Sequence, residues 1–144
     1  MTCAGVVWLV APLYVAPVGI GEAEDIAKAN GCELPSPELV DAIWSAADLK
    51  LEPLPRKTDG TPRTMASKEV YQDQASRIHS QYVGKEKEFR LLAGTHKDVV
   101  RRNGKLGLYG WHRLDGRVWQ PFYAGHARAH KDYSQGLRLV RRAG

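Results

Sequence analysis

Cysteine is scarce, with two among 144 residues, and neither stands at a spacing that pairs. Cys3 and Cys32 therefore supply no disulfide scaffold and no metal-binding cysteine pair. Cys32 lies in NGCELP, after an expected helix end, and reads as a small apolar side chain. The chain has no HExxH, no G-x-S-x-G elbow and no named nucleic-acid motif. It has no internal repeat and no low-complexity tract. Carboxylates are thin in the second half: residues 85–144 carry 5 Asp and Glu against 14 Lys and Arg. That disfavours a glycosidase, which works with paired carboxylates. Glu86 and Glu88 alternate with lysines as a solvated face, and Glu22, Glu24 and Asp25 open a helix. Unbroken apolar runs are short. The N-terminal MTCAGVVWLVAPLYVAPVGIG is interrupted by Pro12 and Pro17 and cannot span a bilayer. It also lacks the basic start of a signal peptide. Val6, Trp8 and Val10 share one face at period two, which predicts a buried strand; an atypical export or anchor segment is the other reading.

What remains is a chain of ordinary single-domain size, able to bury a core. Residues 1–84 hold 7 Lys and Arg against 11 Asp and Glu, so an acidic first half precedes a basic second half. A basic half suits an anionic partner: nucleic acid, a membrane surface or the bacterial cell wall. EAEDIAKAN predicts a short helix closed at Asn30-Gly31. SPELVDAIWSAADL predicts a second, with Ser36 as cap, Pro37 in the first turn and Glu38 at the positive end. Its stripe of Leu39, Val40, Ile43, Trp44 and Ala47 reads as core. LEPLPRKTDGTPRT reads as an ordered loop. Ser67 caps a third helix with the stripe Tyr71, Ala75, Ile78 and Tyr82, and His79 sits at its edge.

Beyond residue 88 the pattern turns to strands. FRLLAGTHKDVV is apolar and β-prone. Asn103-Gly104 in RNGK predicts a two-residue hairpin turn, and LDGR at 114–117 a second of the same kind. LGLYGWH and VWQPFY are strands, with Pro121 on an edge or at a bulge. GLRLV predicts a last short strand. The expected fold is α+β, N-terminal helices packed on a C-terminal antiparallel meander. The expected single domain covers 1–144, with 1–84 mainly helical after an apolar strand and 85–144 β-rich and basic.

The chemistry-bearing residues gather in this second half. His96, His112 and His126 stand at strand ends, and Asp132 opens DYSQG. Strand ends of a meander can converge, so His112, His126 and Asp132 are candidate Zn²⁺ ligands, with water in the open position. His126 and His130 are four apart in HARAH, in a stretch that is not clearly helical. A metal-free alternative uses His126 or His112 as general base, oriented by Asp132, with Ser134 as nucleophile. Asp98 or Asp132 can serve as the base beside a metal. The bland reading makes the glycines turn residues, Trp111 and Trp119 a cross-strand pair, Tyr133 core, and Arg138 a partner of Asp132.

GCELPSPELVDAIWSAADLKLEP, AGTHKDVV, YGWHRLDGRVWQPFYAGH and DYSQGLRLV together resemble a poorly characterised family of bacterial exported and phage-encoded proteins. The resemblance covers most of residues 20–140. It implies work on the bacterial envelope, and a small basic phage-type protein suits an endolysin. Carried over by motif, the residues to watch are His96, Lys97, Asp98, His112, His126, Asp132, Tyr133 and Ser134. In that family a histidine commonly stands where this chain has Gln135, which weakens any mechanism needing a base there. SQGLRL is also superficially similar to the SHGCIRL signature of L,D-transpeptidases. It lacks both the cysteine and the histidine, so their cysteine mechanism is excluded. The expectation is therefore a peptidoglycan-degrading hydrolase that cuts an amide bond, Zn-dependent or not. His112, His126 and Asp132 would form its centre, with His96 and Ser134 assisting. Trp111, Trp119, Tyr123, Tyr133, Arg138 and Lys97 would bind substrate. The setting is the envelope, or a phage protein made in the bacterial cytoplasm. The alternatives are a nucleic-acid-binding module, with Arg101, Arg102, Lys105, Arg113, Arg117, Arg128, Arg138, Arg141 and Arg142 on phosphates and Trp111, Trp119 and Tyr123 stacking bases, and a non-catalytic wall-binding or structural phage protein.

Overall fold

A computed structural model describes residues 1–11 and 17–144. Pro12, read above as a break in the apolar run, lies outside the described residues. The fold is α+β, with the helices N-terminal and the main sheet C-terminal. The chain begins with a hairpin of β1 (Thr2–Cys3) and β2 (Val6–Val10), then α1 (Ile20–Ala29) and α2 (Pro37–Ala46). A short β3 (Leu49–Lys50), one turn of helix α3 (Pro62–Met65) and the long α4 (Lys68–Tyr82) follow. The second half holds β4 (Leu92–Ala93), β5 (Lys97–Arg102), β6 (Lys105–His112), β7 (Val118–Tyr123), β8 (Gln135–Gly136) and β9 (Val140–Arg142).

The capping residues act as their chemistry predicts. Ser36 accepts from the Leu39 amide at 3.1 Å, and Ser67 from the Val70 amide at 3.2 Å. Glu22 reaches back to the Gly19 amide at 3.1 Å. On α4 the buried positions are Ile78 and a polar one, Gln74. The Gln74 side-chain amide donates to Leu54 O at 2.9 Å, which pins the proline-rich loop to the helix.

The main sheet runs β7-β6-β5-β8. β5, β6 and β7 form the expected antiparallel meander; β8 joins β5 in parallel. Asn103 and Gly104 both take positive φ, as the two-residue turn requires. The 114–117 turn departs from expectation. Only Gly116 has positive φ there, and the Arg113 amide donates to Arg117 O across a longer loop. Pro121 lies on the edge strand. The β6–β7 register slips beside it, with Leu108 opposite Tyr123 but Gly110 opposite Gln120. GLRLV is not one strand. Gly136 ends β8, and Val140 begins β9, which pairs with β2 in a separate sheet. There Val6, Trp8 and Val10 are half-buried rather than buried, and Val7 and Leu9 face outward.

Strand alternation gives the main sheet two faces. Val99 and Leu108 pack with Ile20 and Ala23 of α1 and with Leu137. The opposite face, with Asp98, Val100 and Tyr109, lies under α2. Arg102 pairs with Glu38 at 2.6 Å, and the Tyr109 hydroxyl donates to Asp41 at 2.7 Å. No helix among the described residues is long and apolar enough to cross a membrane. Ser36→Ala removes the cap that seats α2 on this face. It is expected to cost about 1 kcal/mol of unfolding free energy in urea titration, with Ser36→Asp close to wild type.

Candidate active site

Between α2 and the sheet lies a pocket. Val40, Ile43 and Trp44 form the helix wall, Ala93 to His96 and Asp98 the floor, Trp111 and His112 one side, and Arg138 the other. Its geometry begins with an irregular end to β6. Gly110 and Trp111 have φ of 109° and 60°. The second value is strained for a side-chain-bearing residue, and such strain gathers at functional sites. As a result Trp111 and His112 are both buried, where a regular strand would send one outward.

His112 is held from two sides. Its Nε2 bonds Asp41 Oδ1 at 2.7 Å, and its ring stacks on Trp44 with centroids 5.2 Å apart and planes at 13°. A carboxylate accepts only, so the ring donates its Nε2 proton to Asp41. This is the arrangement of a general base fixed by a carboxylate. Asp41 is also braced by Tyr109, whose phenol burial and Asp41 together keep protonated.

Asp98 lies deeper. Its Oδ1 is shut off from solvent and without a hydrogen-bond partner among the described residues. Burial pushes the carboxyl up to about 7, against the opposing field of Arg138. Arg138 is 4% exposed and donates to Leu92 O. His96 is buried; its Nδ1 meets Thr95 Oγ1 at 3.0 Å and its Nε2 has no partner. Burial, then Arg138, lowers this imidazole to about 3, so it is neutral at physiological pH. The indole N–H groups of Trp44 and Trp111 are likewise buried without an acceptor among the described residues. The pocket thus holds one oriented imidazole, one neutral imidazole, a carboxyl that changes charge near neutral pH, and three kinds of N–H donor.

The other expected site residues lie elsewhere. The trio of His112, His126 and Asp132 does not form: His112 turns to Asp41, and no three His, Cys, Asp or Glu side chains among the described residues are placed to hold a metal ion. The donors expected for Zn²⁺ therefore do not converge. His126 is exposed and stacks on His130 at 3.6 Å between centroids, with the edge of Tyr123 at 4.8 Å. HARAH is not helical. Asp132 is a turn-maker: its Oδ1 accepts from the Ser134 amide at 2.7 Å and the Ser134 hydroxyl at 2.6 Å, while Oδ2 meets His130 at 3.3 Å. Ser134 is buried and bonded to a carboxylate rather than a histidine, so it is not placed as a His-activated nucleophile. Asp132 does not orient His112, and Arg138 donates to Leu92 O and makes no ion pair with Asp132. Tyr133 is core, accepting from the Arg56 amide at 2.8 Å. It lines a second hollow with Tyr71, Gln74, His96 and Gln135. Lys97 sits 5.8 Å from the Trp111 ring centroid, and burial lowers its ammonium. Trp111 and Trp119 do form the expected edge-on pair, 6.1 Å between centroids.

Two site residues escaped the sequence reading. The sequence gives Asp41 no evident role and Trp44 a core role alone. Their spacing of three puts them on one helix flank, an acid and an indole bordering an apolar stripe. Asp98 carried a plainer signal: in KDVV it shares a face with the buried Val100. No family model, curated protein or solved structure matches the chain.

Asp98 sets a pH signature. Its folded value lies above the unfolded one, so between about pH 4 and 7 the folded chain holds a proton that the unfolded chain has lost. Its contribution to stability is therefore lost as pH rises through that window. His96 works oppositely, losing stability as pH falls from 6.5 towards about 3. Asp98→Asn is expected to flatten the first slope. The melting temperature of the variant minus that of wild type should climb by roughly 5–10 °C between pH 5 and pH 8 in thermal scans.

Proposed function

We propose that this chain is a peptidoglycan-degrading hydrolase that cuts an amide bond, with its centre at His112, Asp41 and Asp98. The observation that carries the reading is His112, fixed by Asp41 and Trp44 in the wall of a pocket that also holds Asp98. In this mechanism His112 Nδ1 takes a proton from water and the resulting hydroxide adds to the amide carbonyl. The C–N bond then breaks, and the protonated Asp98 carboxyl gives its proton to the departing nitrogen. The products are a carboxylic acid and an amine, and His112 returns its proton to Asp98 through solvent. The chain's charge supports an anionic polymer as the substrate. Trp119 is 40% exposed, with Arg113 over its ring at 4.7 Å, a surface suited to a sugar or an acid group.

Turbidity loss of purified cell walls tests this. His112→Ala and Asp41→Asn are each expected to slow lysis about 100-fold or more, while His126→Ala keeps most of it. Lysis that survives His112→Ala would end the proposal. A second reading has its own observation. Trp119 and Tyr123 both stand exposed on β7, beside Arg113 and Arg117, as a stacking platform for single-stranded nucleic acid would. Steeply salt-dependent binding of an oligothymidylate, with no lysis of walls of several chemotypes, would favour that reading over hydrolysis.

A further inference from the structure

Arg138 is the puzzle of the pocket. It is almost wholly buried, yet no carboxylate among the described residues lies within ion-pair distance of it. Among the described residues its one side-chain hydrogen bond is to the Leu92 carbonyl. A buried cation of this kind is unfavourable unless an anion compensates it. Asp98 supplies only a field across the pocket, and its own Oδ1 is unbonded. Two further donors in the same walls, the Trp44 and Trp111 indole N–H groups, also lack acceptors. A buried donor without an acceptor is destabilising. Trp111 is 2% exposed, and its backbone holds a φ of 60°. The residues lining one pocket therefore include an arginine and two tryptophans, and no described residue accepts from the indoles.

We propose that this pocket is a carboxylate receptor, in which Arg138 and the Trp44 and Trp111 indoles hold the free carboxylate of a peptide whose neighbouring amide is the bond presented to His112. The inference rests on the hydrolase reading and deepens it, making the substrate a chain end rather than an internal bond. A carboxylate is planar, matches the guanidinium fork, and has lone pairs left over for two more N–H donors. The apolar walls of Val40 and Ile43 favour such a small flat anion over a bulkier, more hydrated phosphate. Asp98 sets a competing condition. It shares the pocket with Arg138, His96 and His112, stands opposite Tyr109 on β6, and Tyr109 and His112 both bond Asp41 on α2. Once ionised, Asp98 repels a second carboxylate, so the receptor works best while Asp98 holds its proton.

The test is a binding titration followed by the indole N–H resonances of the full chain in ¹H–¹⁵N spectra, assigned with single Trp→Phe variants. The probe is N-acetylglycine, a carboxylate beside an amide; N-acetylglycinamide is its neutral match, and inorganic phosphate a competitor. The Trp44 and Trp111 signals are expected to shift together with N-acetylglycine and not with the amide. Affinity should fall tenfold or more between pH 6 and pH 8 in wild type but not in Asp98→Asn. Arg138→Gln should abolish the shifts. Because a buried arginine can matter for folding, Trp111→Phe is the second variant; it keeps the ring and removes the donor, and should weaken binding tenfold. Equal response to the neutral amide, stronger binding of phosphate, or shifts confined to Trp8 and Trp119 would each overturn the receptor. Lysis of walls without carboxylate-specific binding would sink this inference and leave the hydrolase standing. Specific binding without lysis would uphold the receptor and sink the hydrolase.

Discussion

The pocket hangs on the parallel pairing of Gln135 and Gly136 with Lys97 and Asp98. The pairing begins where the Lys97 amide donates to Ser134 O at 2.7 Å. It brings the segment that carries Arg138 alongside the strand that carries Asp98, and so sets a cation and a carboxyl on one pocket. Two local features make it possible. The first is the Asp132 turn, which folds the chain back so that Ser134 and Gln135 meet β5. The second is the bare Cα of Gly136. A Cβ built there would lie 1.5 Å from His96 Cδ2, so the imidazole occupies the volume that any other residue would need. Glycine here is a steric requirement of the site, since its backbone is ordinary and only the close approach excludes a side chain. Gln135 locks the same segment from behind, giving its amide protons to Val18 O and His130 O at 2.7 and 2.8 Å.

The uneven charge of the chain takes on a different meaning once the fold is known. Several arginines of the basic half do not await an external anion, because carboxylates of the acidic half already hold them. Arg101 and Arg128 meet Glu24 of α1, Arg102 meets Glu38 of α2, and Arg142 meets Glu33. The guanidiniums next to Glu24 and Glu38 hold both carboxyls below the usual range. These pairs are largely exposed, and each adds little stability alone. Their place matters more, since Arg101 and Arg102 point to opposite faces of β5 and so tie α1 and α2 to their respective sides. Near the pocket, an anionic partner would meet Arg113 and the exposed aromatics of β7, with Arg117 beside them already paired to Asp115; this stretch adjoins the pocket through the Trp111–Trp119 contact and through Gly116, which sits against Trp44.

Local signals were the legible ones. Ser36, Ser67, Asn103-Gly104 and Pro121 each carry a short-range physical instruction, and the structure follows each. The α+β order was readable from the change of period after residue 88. The 114–117 turn misled because Asp-Gly permits two positive φ values without demanding them; the chain used one and lengthened the loop. The site was half legible. His96, His112, Trp111 and Arg138 stand out in the sequence, but the side chains they meet do not. Strand ends suggested that His112 meets Asp132, whereas the strained end of β6 turns His112 towards the helix face. No periodicity in residues 105–112 announces that turn, because it depends on Gly110 adopting a φ that is lawful only for glycine. The partner, Asp41, lies 71 positions away in sequence, and pairing over that distance is a product of packing.

The pocket also runs against stability, and that is the strongest reason to read it as functional. A buried Arg138 without a contacting carboxylate, an unbonded Asp98 oxygen, two unpaired indoles, an unpaired His96 nitrogen and a strained Trp111 all sit within one set of walls. Elsewhere the chain satisfies comparable groups with care. Gln74 caps a loop carbonyl, Asp48 takes the amides of Arg90 and Leu91 at 3.0 Å each, and Asp132 takes the Ser134 amide and hydroxyl. Unpaired polar atoms are thus concentrated, since among the described residues four of the five buried side-chain atoms without a partner belong to residues lining this pocket. A fold that met its hydrogen bonds at random would scatter such failures. Gathering them opposite an oriented imidazole is what a site complementary to a ligand requires, because donors already bonded within the protein have nothing left to offer a substrate.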